Sequence, residues 1–163
     1  MASSLRGANF PLLWNREPLS SLLLGVTVHL NACFAPLLFI AEISCLVLKY
    51  THLHVTYKVI LVVVLLVHIL VEIVRLLLAV VGNLGEKIPA MSGFWTLTVV
   101  LQLPVLLFLL LNNAVAPVPL EIIMLTLHLI FLVTEIIAGF IAMRVMAAQQ
   151  IKLFKTMIEE SEK

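Results

Sequence analysis

The chain has 163 residues, of which 63% are apolar and only 12% charged, and its mean hydropathy is +1.18. Water-soluble domains average ~45–50% apolar residues, so the excess here calls for lipid as solvent. The formal net charge of +1, with no cluster of Lys and Arg, excludes nucleic acid as a partner, because phosphates are recognised by grouped cations.

The first 18 residues are polar and interrupted by Pro11 and Pro18, which does not fit a secretory signal peptide. The apolar run that follows is longer than a signal core, so the first helix is expected to act as its own insertion signal. A hydrocarbon core of ~30 Å needs about 20 helical residues, and runs long enough occur at 22–48, 59–81, 92–111 and 120–142. They are continuous and Leu-rich rather than alternating, which predicts helices and not barrel strands. Cys33 and Cys45 both fall in the first run, where they read as packing thiols, and no loop carries a cysteine to staple an ectodomain. Pro36 and Pro104 are expected to kink the first and third helices.

The connections are short. Residues 49–58 hold His52 and His54 without cysteine or carboxylate companions, whereas a zinc site would want four ligands, or three plus water. Residues 82–91 begin with the turn signal Gly82-Asn83-Leu84-Gly85 and contain Pro89. Residues 112–119 lead into the fourth helix, whose Ala138 and Ala142 give a small-xxx-small spacing suited to tight packing in the bundle. Trp14, Tyr50, Tyr57 and Trp95 flank the runs where amphipathic rings favour headgroups. Such short links force antiparallel neighbours. The expected fold is therefore all-α, a four-transmembrane-helix bundle (residues 1–146) followed by an amphipathic cytoplasmic tail (residues 147–163). In that tail Ile151, Phe154 and Ile158 fall on one stripe, beside Leu153 and Met157. Lys152 and Lys155 suit anionic lipid while Glu159, Glu160 and Glu162 do not, which leaves both an interfacial helix and a partner-docking helix open.

Basic flanks are retained on the cytoplasmic side. With both termini cytoplasmic, Arg6, Arg16, Lys87, Arg144, Lys152, Lys155 and Lys163 lie inside, against Lys49 and Lys58 outside. Arg75, near the cytoplasmic end of the second run, reinforces that orientation.

Ionisable residues within the spans carry the most information, since each costs ~2.5–3.5 kcal/mol at a helix centre and normally finds a partner. They are Glu42, His68, Glu72, Arg75, His128 and Glu135. Glu72 and Arg75, three apart, share a face and are placed to pair. At 1.5 Å per residue Arg75 lies roughly 24 Å and Glu135 roughly 22 Å from the outer end, so Glu135 is a candidate second partner. His68, His128 and Glu42, at roughly 14, 12 and 9 Å, suggest a second polar layer, and Gln102 is mid-membrane as well. Interhelical glue is the plain reading of the Glu72, Arg75 and Glu135 cluster, an ion or proton path the sharper one. The histidines read as interhelical hydrogen-bonding groups rather than metal ligands.

Enzyme chemistry has little footing. The chain has no aspartate, no His-Glu-x-x-His, no nucleophile elbow, no phosphate-cradling glycine loop and no glycosylation sequon. No cofactor is expected.

The stretch Val71-Glu72-Ile73-Val74-Arg75-Leu76 runs on into Val81-Gly82-Asn83-Leu84-Gly85-Glu86-Lys87-Ile88-Pro89 and then Gly93-Phe94-Trp95. With Leu101-Gln102-Leu103-Pro104 and Val118-Pro119-Leu120-Glu121, these motifs resemble the transmembrane protein 17 family of ciliary transition-zone four-span membrane proteins, over roughly residues 25–145. The resemblance implies a non-enzymatic subunit of the complex at the cilium base, acting with other membrane and soluble subunits in cilium assembly, the membrane diffusion barrier and Hedgehog signalling. The rival reading is a small proton-coupled four-helix transporter or ion pathway using Glu42 or Glu72. A tetraspanin- or claudin-like adhesion protein would need a large cysteine-bearing outer loop, which these connections do not supply.

Overall fold

The computed structural model describes residues 22–161, without the side chains of residues 153, 160 and 161. Trp14, Arg6, Arg16 and Lys163 lie outside the described residues, as does Glu162. Among the described residues four long helices make up the fold: α1 (Leu22–Lys49), α2 (Val55–Leu84), α3 (Ile88–Leu111) and α4 (Pro119–Ser161). Each is long and apolar enough to cross a membrane, and only 28–33% of each span is buried inside the bundle, which leaves most of its apolar side chains to lipid.

The helices outrun the apolar runs at several ends, for local reasons. α2 begins at Val55 rather than at residue 59, because the His54 ring accepts a hydrogen bond from the Thr56 N–H (3.4 Å) and caps the first turn. α3 begins at Ile88, with Pro89 in its first turn, where the missing N–H costs nothing. α4 does not stop at residue 142. It continues without a break through Ser161 and takes the tail along as the same helix.

Which face of each helix turns inward follows a simple rhythm. In α1 the buried residues are Leu24, Val28, Asn31, Ala35, Leu38, Glu42, Cys45 and Lys49, alternating steps of four and three. Leu61, Leu65, His68, Glu72, Arg75, Ala79 and Gly82 repeat the alternation in α2. In α4 the series is Glu121, Leu125, His128, Leu132, Glu135, Gly139, Ala142 and Met146. This is the heptad seam of a left-handed bundle. α3 departs from it: Met91, Phe94, Thr98, Gln102, Leu106 and Leu109 include three successive steps of four. A π-helical turn at Thr98–Gln102 absorbs the extra residue just before Pro104, the proline expected to kink this helix.

Two connections need special backbone. At the α2–α3 turn, Lys87 N–H donates to the Gly82 carbonyl (3.0 Å) and Glu86 takes a left-handed φ of 50°. A Cβ on Gly82 would sit 2.8 Å from the Met91 backbone nitrogen, so only glycine allows α3 to fold back this closely. The α3–α4 connection holds a short 3-10 turn (Asn113–Val115), capped by the Asn112 side chain, which accepts from the Ala114 N–H (3.1 Å).

Packing is layered along the bundle. Leu24, Val28, Ala79, Met91, Phe94 and Ala142 fill the end nearer the α2–α3 turn, and Leu38, Leu61, Leu106, Leu109 and Leu125 fill the end nearer the α1–α2 loop. Between these apolar plugs lies a belt of buried polar side chains.

Candidate functional site

The belt is built from one to three seam positions of every helix. α2 supplies the centre. Glu72 and Arg75, three apart on one face, meet through two bonds: Arg75 Nη2 donates to Glu72 Oε1 (2.6 Å) and Nε to Glu72 Oε2 (3.1 Å). The third fork nitrogen, Nη1, reaches across to Glu135 Oε2 on α4. Both carboxylates and the guanidinium are fully buried. Phe94 of α3 lies under the guanidinium, its ring centroid 5.6 Å from Cζ.

Two amides complete the cluster. Asn31 of α1 donates through Nδ2 to Glu72 Oε1 (3.1 Å) and to Glu135 Oε1 (3.0 Å), so α1, α2 and α4 meet at one side chain. Gln102, at the end of the π-helical turn, donates through Nε2 to Glu72 Oε2 (2.8 Å) and lies 3.2 Å from His68 Nδ1. Gln102 was recognisable in the sequence as a mid-membrane amide. Asn31 was missed, although a lone amide seven residues before Leu38 on an apolar seam is the available signal.

Glu42, His68 and His128 do not form a layer apart from this cluster; they are joined to it. The rings of His68 and His128 meet edge to face with centroids 5.5 Å apart. His128 Nε2 is 3.5 Å from Glu72 Oε2, and His68 Nε2 is 3.8 Å from Glu42 Oε1. The polar groups thus run continuously from Glu135 through Arg75, Glu72 and the two imidazoles to Glu42. Among the described residues, no group of three or more His, Cys or Glu side chains is arranged to hold a metal ion.

A further ion pair lies beyond Glu42. Lys49, a flanking charge on the outer side in the sequence reading, is 6% exposed and donates to both carboxylate oxygens of Glu121 (2.7 and 2.8 Å). Glu121 Oε2 also accepts from the Val118 N–H (3.3 Å), which fixes the start of α4. Heptad spacing would have exposed the pair: Lys49 is seven residues after Glu42, and Glu121 seven before His128, each on the same seam.

The tail residues Ile151, Phe154 and Ile158 stand exposed on α4, remote from the belt. His52 and His54 remain in the α1–α2 loop, where His54 caps α2 and His52 Nδ1 lies 3.0 Å from the Thr51 hydroxyl.

Four apolar antiparallel helices closed around a buried ionic belt define a multi-pass integral membrane protein. The family model described as "Predicted membrane protein" (Transmemb_17) matches residues 26–150. Among curated relatives, transmembrane protein 17B of Danio rerio is 43% identical over 139 residues, 85% of this chain and 72% of its own. Transmembrane protein 17 of Gallus gallus is 42% identical over 130 residues, 80% of this chain and 62% of its own. The Homo sapiens protein of that name is 39% identical over 133 residues, 82% of this chain and 67% of its own. The chain belongs to the transmembrane protein 17 family. No solved structure matches it.

Proposed function

We propose that the protein is a non-enzymatic membrane component of the ciliary transition-zone complex, inserted with both termini in the cytoplasm and serving cilium assembly, the membrane diffusion barrier and Hedgehog signalling. The location and pathway rest on the family resemblance carried by the Glu72-to-Arg75 and Gly82-to-Pro89 motifs. A scaffolding role is supported by one observation above all: the charged side chains at the heart of the bundle are turned to one another, while the outward faces are apolar and exposed. Leu23, Ile40, Leu66, Leu77, Ile123 and Ile137 stand more than half exposed on those faces and are available to neighbouring helices. The Glu72, Arg75 and Glu135 cluster is then the glue that fixes helix register. The exposed stripe of Ile151, Phe154 and Ile158 is the surface offered to soluble subunits or to the headgroup region.

The transporter reading has less support at Glu72, both of whose oxygens accept from Arg75. The discriminating experiment is localisation of the tagged full-length protein in ciliated cells, paired with its deletion. A narrow band at the cilium base, with fewer cilia or entry of non-ciliary membrane proteins after deletion, is the expected outcome. Uniform plasma-membrane staining with normal cilia would reject the proposal and leave the four-span fold alone.

A further inference from the structure

Formal charge does not balance in the belt. Glu42, Glu72 and Glu135 bring three buried carboxylates, Arg75 a single guanidinium, and the next cation, Lys49, is held by Glu121. With neutral imidazoles, the layer would carry two net negative charges between apolar plugs and surrounded by lipid. Solvent does not reach them: Glu42 is 4% exposed, and Glu72, Arg75, His68, His128 and Glu135 are 0%. Charge in such a place is neutralised by a partner or by a proton.

The belt also shows where protons fit. Both oxygens of Glu42, Nε2 of His68 and both ring nitrogens of His128 are buried without a hydrogen-bond partner, and each imidazole looks across a short gap at a carboxylate, His68 at the unpartnered Glu42 and His128 at Glu72, which already accepts from Arg75 and Gln102. One gap is Glu42 Oε1 to His68 Nε2 (3.8 Å), the other Glu72 Oε2 to His128 Nε2 (3.5 Å). We propose that the belt is a two-proton binding site, one proton shared by Glu42 and His68 and the other held by His128 against Glu72.

The balance closes without further groups. Arg75, bonded to both Glu72 and Glu135, cancels one of those two charges, and Lys49 cancels Glu121. One proton neutralises Glu42 and His68 together, and holds a hydrogen bond whether it rests on oxygen or on nitrogen. The second offsets the remaining negative charge from the ring nitrogen of His128, because both Glu72 oxygens already accept from Arg75. The groups facing the pairs are Cys45 and Lys49 from α1, Arg75 from α2, the uncharged Gln102 from α3, and Glu121 and Glu135 from α4. Entry falls at the α1–α2 loop end, where a cavity of ≈ 10 Å³ lies between Glu42 and the Lys49–Glu121 pair. That is about the size of one water, enough to pass a proton when the ion pair opens. The inference does not depend on the cellular role proposed above.

The test uses the full-length protein in lipid nanodiscs. Unfolded at mildly alkaline pH in weak buffer with an indicator dye, the wild type should release two protons, because exposed Glu and His hold none there. E42Q, which replaces the carboxyl by a neutral shape-mimic, should release one. Ring-nitrogen NMR of His68 and His128 and the infrared band of buried carboxylic acids should show one proton at each pair in the folded wild type. That reading stands even if E42Q fails to fold. Two neutral rings with no carboxylic-acid band, or equal proton release from wild type and E42Q, would overturn the proposal.

Discussion

Arg75 is the residue on which the bundle most depends, because its three bonds join α2 to itself and to α4 in a place without water. Removing one partner of a buried ion pair strands the other, at about 3–5 kcal/mol. R75L should therefore lower the unfolding free energy in detergent or bicelles by that order. R75L combined with E135L should recover part of it, which a steric defect at position 75 would not. Lysine is no substitute, since a single ammonium cannot span Glu72 and Glu135 with a planar fork. Asn31→Ala removes neutral donors only, and should cost nearer the ~0.6–1.7 kcal/mol of interhelical hydrogen bonds in lipid. A loss from R75L no larger than that from Asn31→Ala would refute this ranking. At this scale the sequence revealed the charged members of the belt, because any ionisable side chain inside an apolar run stands out. It hid Asn31, which is polar without being charged. The Lys49–Glu121 pair is less plain, because its members sit at span ends, where charge is ordinary, and only their heptad spacing from Glu42 and His128 marks them as seam residues.

At the scale of the element, hydropathy located four helices but not their ends, which depend on caps and turns. Thr56, Tyr57 and Lys58 are too polar to extend an apolar run, yet His54 caps them into α2. Pro89 punctuates a loop in sequence but begins a helix in space. The glycine cluster at 82–85 was legible as a turn. That Gly82 has α3 pressed against it was not, since close approach is a property of two helices together. G82V should push α3 away from α2 and loosen the layer of Met91, Phe94 and Ala79, lowering the melting temperature and exposing Met91 to oxidation. The same change at Gly93, where a Cβ would meet the Leu78 Cδ1 at an ordinary 3.5 Å, should do much less. Equal effects at both positions would remove the backbone argument.

For the molecule as a whole, composition alone required a bilayer, and short links required antiparallel neighbours, so the architecture was legible almost entirely. Orientation rests on charge. With Cys33 and Cys45 replaced by Ala, single cysteines at Ala2 and Ser161 should resist an impermeant thiol reagent in intact cells, while cysteines at Thr51 and Ala114 should react. Labelling of either terminus from outside would reverse the topology.

The unbroken length of α4 has one more consequence. At 1.5 Å per residue its 43 residues extend about 64 Å, roughly twice the hydrocarbon thickness, so Phe154 is tied as by a rigid shaft to the seam that holds Glu135. The azimuth of the apolar stripe is thereby set inside the membrane. Under the docking role proposed for the stripe, one alanine inserted after Ala148 should swing Ile151, Phe154 and Ile158 by about 100° and abolish recovery of the proposed subunits in a pull-down, with the bundle's own stability unchanged. Seven alanines at the same place restore the angle to within about 20° while lifting the stripe about 10 Å, so recovery that returns with seven and not with one would identify helical phase as the property the partner reads.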